Sequence, residues 1–184
     1  MTLDALLVEV EAWLRRHAPA TAAQLAPPAT DEDIARLEAA VGFRLLPEVV
    51  TLLQWHNGAG DQDGAFTLGP LHSMLSADAI AKTAHMLIKI NDKSRLEMPD
   101  YHWWRRTWIP VTSDWCGAHH VVDHGPDTPG RVLYWDHETG EELLGPYHPS
   151  LTAFVAELLD ALRHGTPIGD LRPIVTADGE LDWD

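Results

Sequence analysis

Apolar residues recur at helical spacing through the first half of the chain and shift towards strand spacing after residue 108. Leu3, Leu6, Leu7, Val10, Trp13 and Leu14 step by three and four, which predicts an amphipathic helix from about Leu3 to His17. Its polar face carries Asp4, Glu9 and Glu11 rather than the Lys/Arg face of a membrane-surface helix, so it is expected to pack on a core. Ala18 to Ala29 reads as an Ala/Pro-rich connector in which Pro27-Pro28 stops any helix. Thr30 caps a second helix with Asp33 at the capping-box position; Ile34, Leu37 and Val41 face inward and Gly42 ends it. The next stretch, Leu45 to Gly58, has both ends marked. Pro47 suits the first helical position, Glu48 meets the helix dipole, and Val49, Leu52, Leu53 and His56 share a face before Asn57-Gly58 closes it. Phe66-Thr67-Leu68 is a short strand candidate. Ser76 caps a further helix with the stripe Ala77, Ile80, Ala81, Ala84, Leu87 and Ile88, which fades into a predicted loop at Asn91 to Arg95.

Four strand candidates follow: Trp108–Thr112, Ala118–Asp123, Gly130–Asp136 and Glu142–Tyr147. The connections between them are short and turn-rich, which favours an antiparallel meander, since parallel strands need crossovers of a dozen or more residues. Ser150 caps a last helix with the stripe Leu151, Phe154, Val155, Leu158, Leu159 and Leu162, ended by Gly165. Residues 166–184 are acidic and turn-rich, with an edge strand at Arg172–Val175 or partial fraying expected.

Composition narrows the function. A chain of 184 residues with 45% hydrophobic content fits one domain. No apolar run approaches the ~20 residues of a membrane helix, and no basic segment precedes an apolar one at the N-terminus, so a cytoplasmic protein is expected. The single cysteine, Cys116, excludes an internal disulfide and reads as a small core residue. Net charge is −15 and uneven: −4 over residues 1–60, zero over 61–108 and −11 over 109–184. That sign excludes phosphate-gripping nucleic-acid binding and suits a basic protein partner, although acidity also keeps a surface solvated.

Candidate chemistry is sparse. Asp61, Asp63 and Gly64 lack the remaining spacing of a calcium loop. His119, His120, Asp123 and His124 divide between the two faces of one strand, so a zinc site would have to recruit Asp136 or His137; polar residues on an exposed strand surface are the simpler expectation. Asp114, Asp123, Asp136 and Glu138 lie near strand ends, where acid–base hydrolysis would need a pair of set separation. Phosphate-loop, dinucleotide-loop and nucleophile-elbow motifs are missing. No catalytic residue, metal or cofactor is expected.

The order of segments carries a resemblance. Val41-Gly42-Phe43-Arg44-Leu45, then Leu46-Pro47-Glu48 opening a helix that closes on Trp55-His56-Asn57-Gly58, then Trp108-Ile109-Pro110-Val111, Gly130-Arg131-Val132, Trp135-Asp136-His137-Glu138 and a leucine-rich final helix together resemble the SMI1/KNR4 family of the SUKH superfamily. The likeness covers roughly residues 30–165, with residues 1–29 an added helix and connector and 166–184 an acidic tail. Gly42, Phe43, Leu45, Pro47, Trp55, Asn57 and Gly58 carry the signature. The resemblance implies a single α+β domain: a mostly antiparallel sheet of four to six strands with helices packed around it. It implies a non-enzymatic binding module, foremost a bacterial immunity protein that neutralises a toxin, often a nuclease. A regulator linked to cell-wall assembly is the alternative, and a hydrolase using the region from His119 to Asp136 a more distant one. A nuclease grips phosphate and is basic, so Asp114, Asp123, Asp136, Glu138, Glu141 and Glu142 are expected to engage it. Exposed members of Trp103, Trp104 and Trp115 would anchor it. Trp55, His56 and Asn57 are read as packing and capping residues.

Overall fold

The computed structural model describes residues 1–60, 65–97, 103–139 and 148–184. The fold is α+β, with antiparallel pairing throughout the named strands. Helix α1 (Leu3–His17) buries Leu3, Leu6, Leu7, Val10 and Leu14 against α4 and α6. The last helix, α6 (Leu151–His164), buries the whole predicted stripe, with Ser150 Oγ accepting from Ala153 N and Gly165 ending it at φ 66°. Helix α3 (Asp31–Val41) carries the complete Thr30/Asp33 capping box and stops at Gly42, φ 86°.

The central sheet has the order β2 (Trp108–Pro110), β4 (Ala118–Asp123), β5 (Val132–Asp136). Val111 separates β2 from β3 (Thr112–Ser113), and its N–H donates to His120 O (2.8 Å), so both flank β4. β3 pairs with β1 (Ser73–Met74). Both faces of the central sheet are covered. Ile109, Val122 and Val132 join the large core with α1, α4 (Pro47–Trp55) and α6, while Trp108, Val121, Leu133 and Trp135 form a second, tryptophan-rich core with Leu87 of α5 (Ala77–Glu97) and Trp104. Trp104 stands edge-on to Trp108 and Trp135 at 5.4 and 5.0 Å between ring centroids, the geometry ring quadrupoles prefer.

Helix α4 organises its neighbours through its two ends. At the start, Glu48 Oε2 accepts from Leu151 N (2.9 Å) and Oε1 from the Thr152 hydroxyl, capping α6. Just past the end, Asn57 Oδ1 accepts from Ala77 N (2.8 Å), capping α5. Asn57 N donates to Pro27 O, and the His56 ring contacts Ala26 O. Gly58 sits at φ 91° so close to the α5 N-terminus that a Cβ would lie 2.9 Å from Ser76 N. Trp55 is half-buried, edge-on to Phe66, and its Nε1–H donates to Glu11 Oε2 (3.1 Å). Phe43 packs beside His124, and Leu45 is buried.

Several expectations are corrected. His56 has an extended backbone (φ −147°) and so lies off the α4 face. The connector contains a short helix, α2 (Pro19–Ala23), held because Thr21 is buried with its Oγ1 accepting from Leu181 N (2.9 Å). Asn91 to Arg95 is helical: Asn91 is buried and its Oδ1 accepts from Trp104 N (3.0 Å), extending α5. Phe66 to Leu68 contributes a single bridge, Thr67 to Ser73. Cys116 is exposed in a turn rather than in the core. His119 is buried and stacked on Trp135, and β4 carries buried residues on both faces, so it is not an exposed polar strand surface. At the C-terminus the edge strand expected at Arg172–Val175 does form: β6 (Pro173–Val175) pairs with β7 (Leu181–Trp183), whose Leu181 and Trp183 are buried in the large core. The strand expected at Glu142–Tyr147 and the loop at Asp61–Gly64 lie outside the described residues.

Candidate functional site

The register of β4 and β5 builds the candidate site. Ala118 pairs with Asp136, which sets the β3–β4 turn, residues 114–117, beside the exit of β5. The His137 ring lies against Gly117, where a Cβ would stand 2.5 Å from Nδ1; glycine is required for that approach. Trp103 Nε1–H donates to His137 O (2.9 Å). Trp103, Asp114, Trp115, Asp136 and Glu138 therefore gather at one end of the sheet.

The turn is rigid. Asp114 Oδ1 accepts from the N–H groups of Cys116, Gly117 and Ala118 at 2.8–2.9 Å. Burial works against the Asp114 carboxylate, but these backbone donors and the nearby His72 outweigh it and hold its pKa below the usual carboxylate value. Trp115 projects from the turn at 62% exposure. Its backbone is left-handed (φ 62°), a conformation costing a residue with a Cβ about 1–2 kcal/mol. Its N–H donates to Ser113 Oγ and its Nε1–H to Ser73 Oγ (3.3 Å). Beside it, a cavity of about 340 Å³ is walled by Asn57, Gly58, Met74 and Ser76, so the signature after α4 adjoins the site. Asp136 Oδ1 accepts from Glu138 N (2.7 Å), while Glu138 is exposed.

Two candidates leave the surface. Trp104 is 2% exposed, consumed by the second core. Asp123 is buried at the opposite end of the sheet, accepting from Thr107, Thr128 and Gly125 N, and closes the turn after β4. Glu141 and Glu142 lie outside the described residues.

The imidazoles do not converge on an ion. His119 Nδ1 contacts Thr112 O (2.8 Å) and His120 Nδ1 contacts Thr112 Oγ1 (3.0 Å). His124 Nε2 accepts from Leu46 N, which leaves Nδ1 to donate to Val122 O. Among the described residues, no group of three or more His, Cys, Asp or Glu is placed to hold a metal ion. Burial pushes the pKa of His119 and His124 down and that of His120 well down.

Three residues at the site escaped sequence reasoning: Leu71, Tyr134 and His137 as a packing partner. Tyr134 is near enough to Asp136 and Asp114 that burial and then these carboxylates raise its pKa. Leu71 follows Gly69-Pro70 and has a left-handed backbone (φ 61°), which the residue type gives no reason to expect.

No helix among the described residues is long and apolar enough to cross a membrane. Compared with protein-family models, residues 28–157 match the SMI1 / KNR4 family (SUKH-1). No curated protein matches the chain.

Proposed function

The chain belongs to the SMI1/KNR4 family (SUKH-1), and from that premise we propose that it is a non-enzymatic immunity module which binds and neutralises a basic toxin domain through the acidic end of its sheet. The observation that carries this reading is the convergence of exposed Trp115, half-buried Trp103, Asp114, Asp136 and Glu138 on adjoining turns. Binding energy concentrates in aromatic anchors, and carboxylates around them complement a cationic surface and steer its approach. A pinned turn presents Trp115 already ordered, which lowers the entropy lost on association. The net −11 of residues 109–184 supports a partner of the opposite sign, as in a nuclease that grips phosphate.

The test is protection. The chain is co-expressed with the polypeptide encoded by the adjoining reading frame and, separately, with a panel of basic nuclease toxin domains. Rescue of growth, with a purified complex whose affinity falls as salt rises, supports the reading. Absence of rescue and of a complex in every case overturns it.

A further inference from the structure

Among the described residues, two that are not glycine hold a left-handed backbone: Leu71 at φ 61° and Trp115 at φ 62°. Both are large and apolar, and both are mostly exposed, at 58% and 62%. They also sit in adjoining turns. β1 and β3 pair Ser73 with Ser113; Leu71 lies two residues before the first and Trp115 two after the second. Trp115 Nε1–H crosses between the strands to Ser73 Oγ.

Two unfavourable features therefore coincide twice at neighbouring positions. A left-handed backbone crowds the Cβ of any L-residue, and glycine or asparagine would serve either turn without that strain. An exposed apolar side chain gains nothing from the core. Neither side chain is buried within the chain, Trp115 keeping only its bond to Ser73 and an edge on the neighbouring cavity, and strain of this kind gathers where a side chain must be presented. The base beneath the pair is firm. His72 is 7% exposed, its Nδ1 contacts Pro70 O (2.8 Å), and its ring packs on His120 and Tyr134. Asp114 pins the other turn.

We propose that Leu71 and Trp115 are paired apolar anchors of one protein-binding surface, which reaches from the acidic sheet end across the Gly69–His72 turn and takes a partner offering an apolar patch flanked by Arg and Lys. This rests on the binding function proposed above and extends it to a residue of a different loop. The partner's chemistry follows from the arrangement of an apolar pair bordered by Asp114, Asp136 and Glu138: apolar anchors form the centre of an interface and charges its rim. The same carboxylates repel an anionic lipid surface, which sets a membrane aside as the occupant.

The experiment uses the full chain. Short random peptides displayed on phage are selected on the immobilised wild type, and the enriched peptides are synthesised. Their affinities are measured for wild type, Leu71→Gly, Trp115→Gly and the double variant Asp136→Asn/Glu138→Gln; urea midpoints are measured alongside. Each glycine variant should be at least as stable as wild type, because glycine accepts the left-handed backbone, yet bind the peptides at least about tenfold more weakly. The peptides should combine Arg or Lys with an aromatic or aliphatic residue, and anionic vesicles should not bind. Leu71→Gly that binds like wild type while Trp115→Gly and the charge variant weaken overturns the paired anchor and leaves the acidic-end function standing. Wild-type binding by all three variants overturns both. A Leu71→Gly variant that is destabilised and still binds makes Leu71 a structural residue. Acidic consensus peptides, or vesicle binding, overturn the assigned partner chemistry.

Discussion

Replacing Glu48 tests whether the signature helix holds the fold together by capping its neighbours. Its carboxylate receives Leu151 N (2.9 Å) and the Thr152 hydroxyl, more than a hundred residues along the chain, and the first turn of α6 contains no acid of its own. Leu151 is fully buried, so removing the acceptor leaves its N–H without water to replace it. Hydrogen bonds to a charged group contribute about 1.5–3 kcal/mol, and the helix dipole adds about 0.3–1 kcal/mol for a carboxylate at the first turn. Because the two bonds share one carboxylate they do not add fully, so Glu48→Ala should cost about 2–3 kcal/mol. Glu48→Gln keeps an acceptor for Leu151 N but loses the charge, and should cost about 1 kcal/mol. The assay is urea unfolding, with an unchanged slope and a lower midpoint for both variants. In a chain of this size the larger loss lowers Tm by roughly 4–12 °C. A Glu48→Ala protein within about 0.5 kcal/mol of wild type, the range of ordinary surface substitutions, refutes the capping role.

Asn57→Ala, which removes the cap on α5, should destabilise by about 1–2 kcal/mol in the same assay, and a neutral result contradicts the Asn57–Ala77 bond. Trp104→Ala should cost about 3–5 kcal/mol by emptying the second core, where Trp115→Ala should stay within about 1 kcal/mol; similar losses for both would mean the burial assignment is wrong. Acid should weaken the fold early. Burial, the largest cause for each, holds His72, His119, His120, His124 and His148 below the ordinary imidazole value. Below a pH of about 6.5 the unfolded chain therefore binds more protons than the folded one, and stability is lost as pH falls. Protonation of His124 also removes the acceptor for Leu46 N at the start of α4. The depressed carboxylate of Asp114 adds its loss only as pH drops below about 4. Urea midpoints should decline between about pH 6.5 and 5, and a flat profile there contradicts the neutral buried imidazoles.

What the chain declared of its fold was local. Thr30 with Asp33, Gly42, Ser150 and Gly165 are caps whose partners lie within a few residues, and each was legible. Glu48 and Asn57 were legible as the ends of one helix and illegible as the caps of two others, because their partners are 103 and 20 residues away. The polar run Asn91 to Arg95 looked like a loop for the same reason: its helix is completed by Trp104, which docks on Asn91 from beyond a break in the pattern. At the site, residue type was readable and facing was not. Three neighbouring aromatic candidates diverged, with Trp104 in the core, Trp103 half-buried and Trp115 in solvent. Asp123 looked like Asp114 in sequence, yet the turn through Thr128 folds over its carboxylate. Leu71 carried no signal, since a left-handed backbone is a property of the turn it closes.

The most direct measurement is a hydrogen-exchange footprint of the chain with and without a basic toxin domain that the co-expression test shows it to bind. Added protection should fall on amides of residues 113–118 and 136–139, and on the Gly69–Ser73 turn beside them. The outer faces of α3 and α5 should exchange alike in both states. Protection confined to those helices, with the sheet end unchanged, would contradict the assignment of the acidic end as the binding surface.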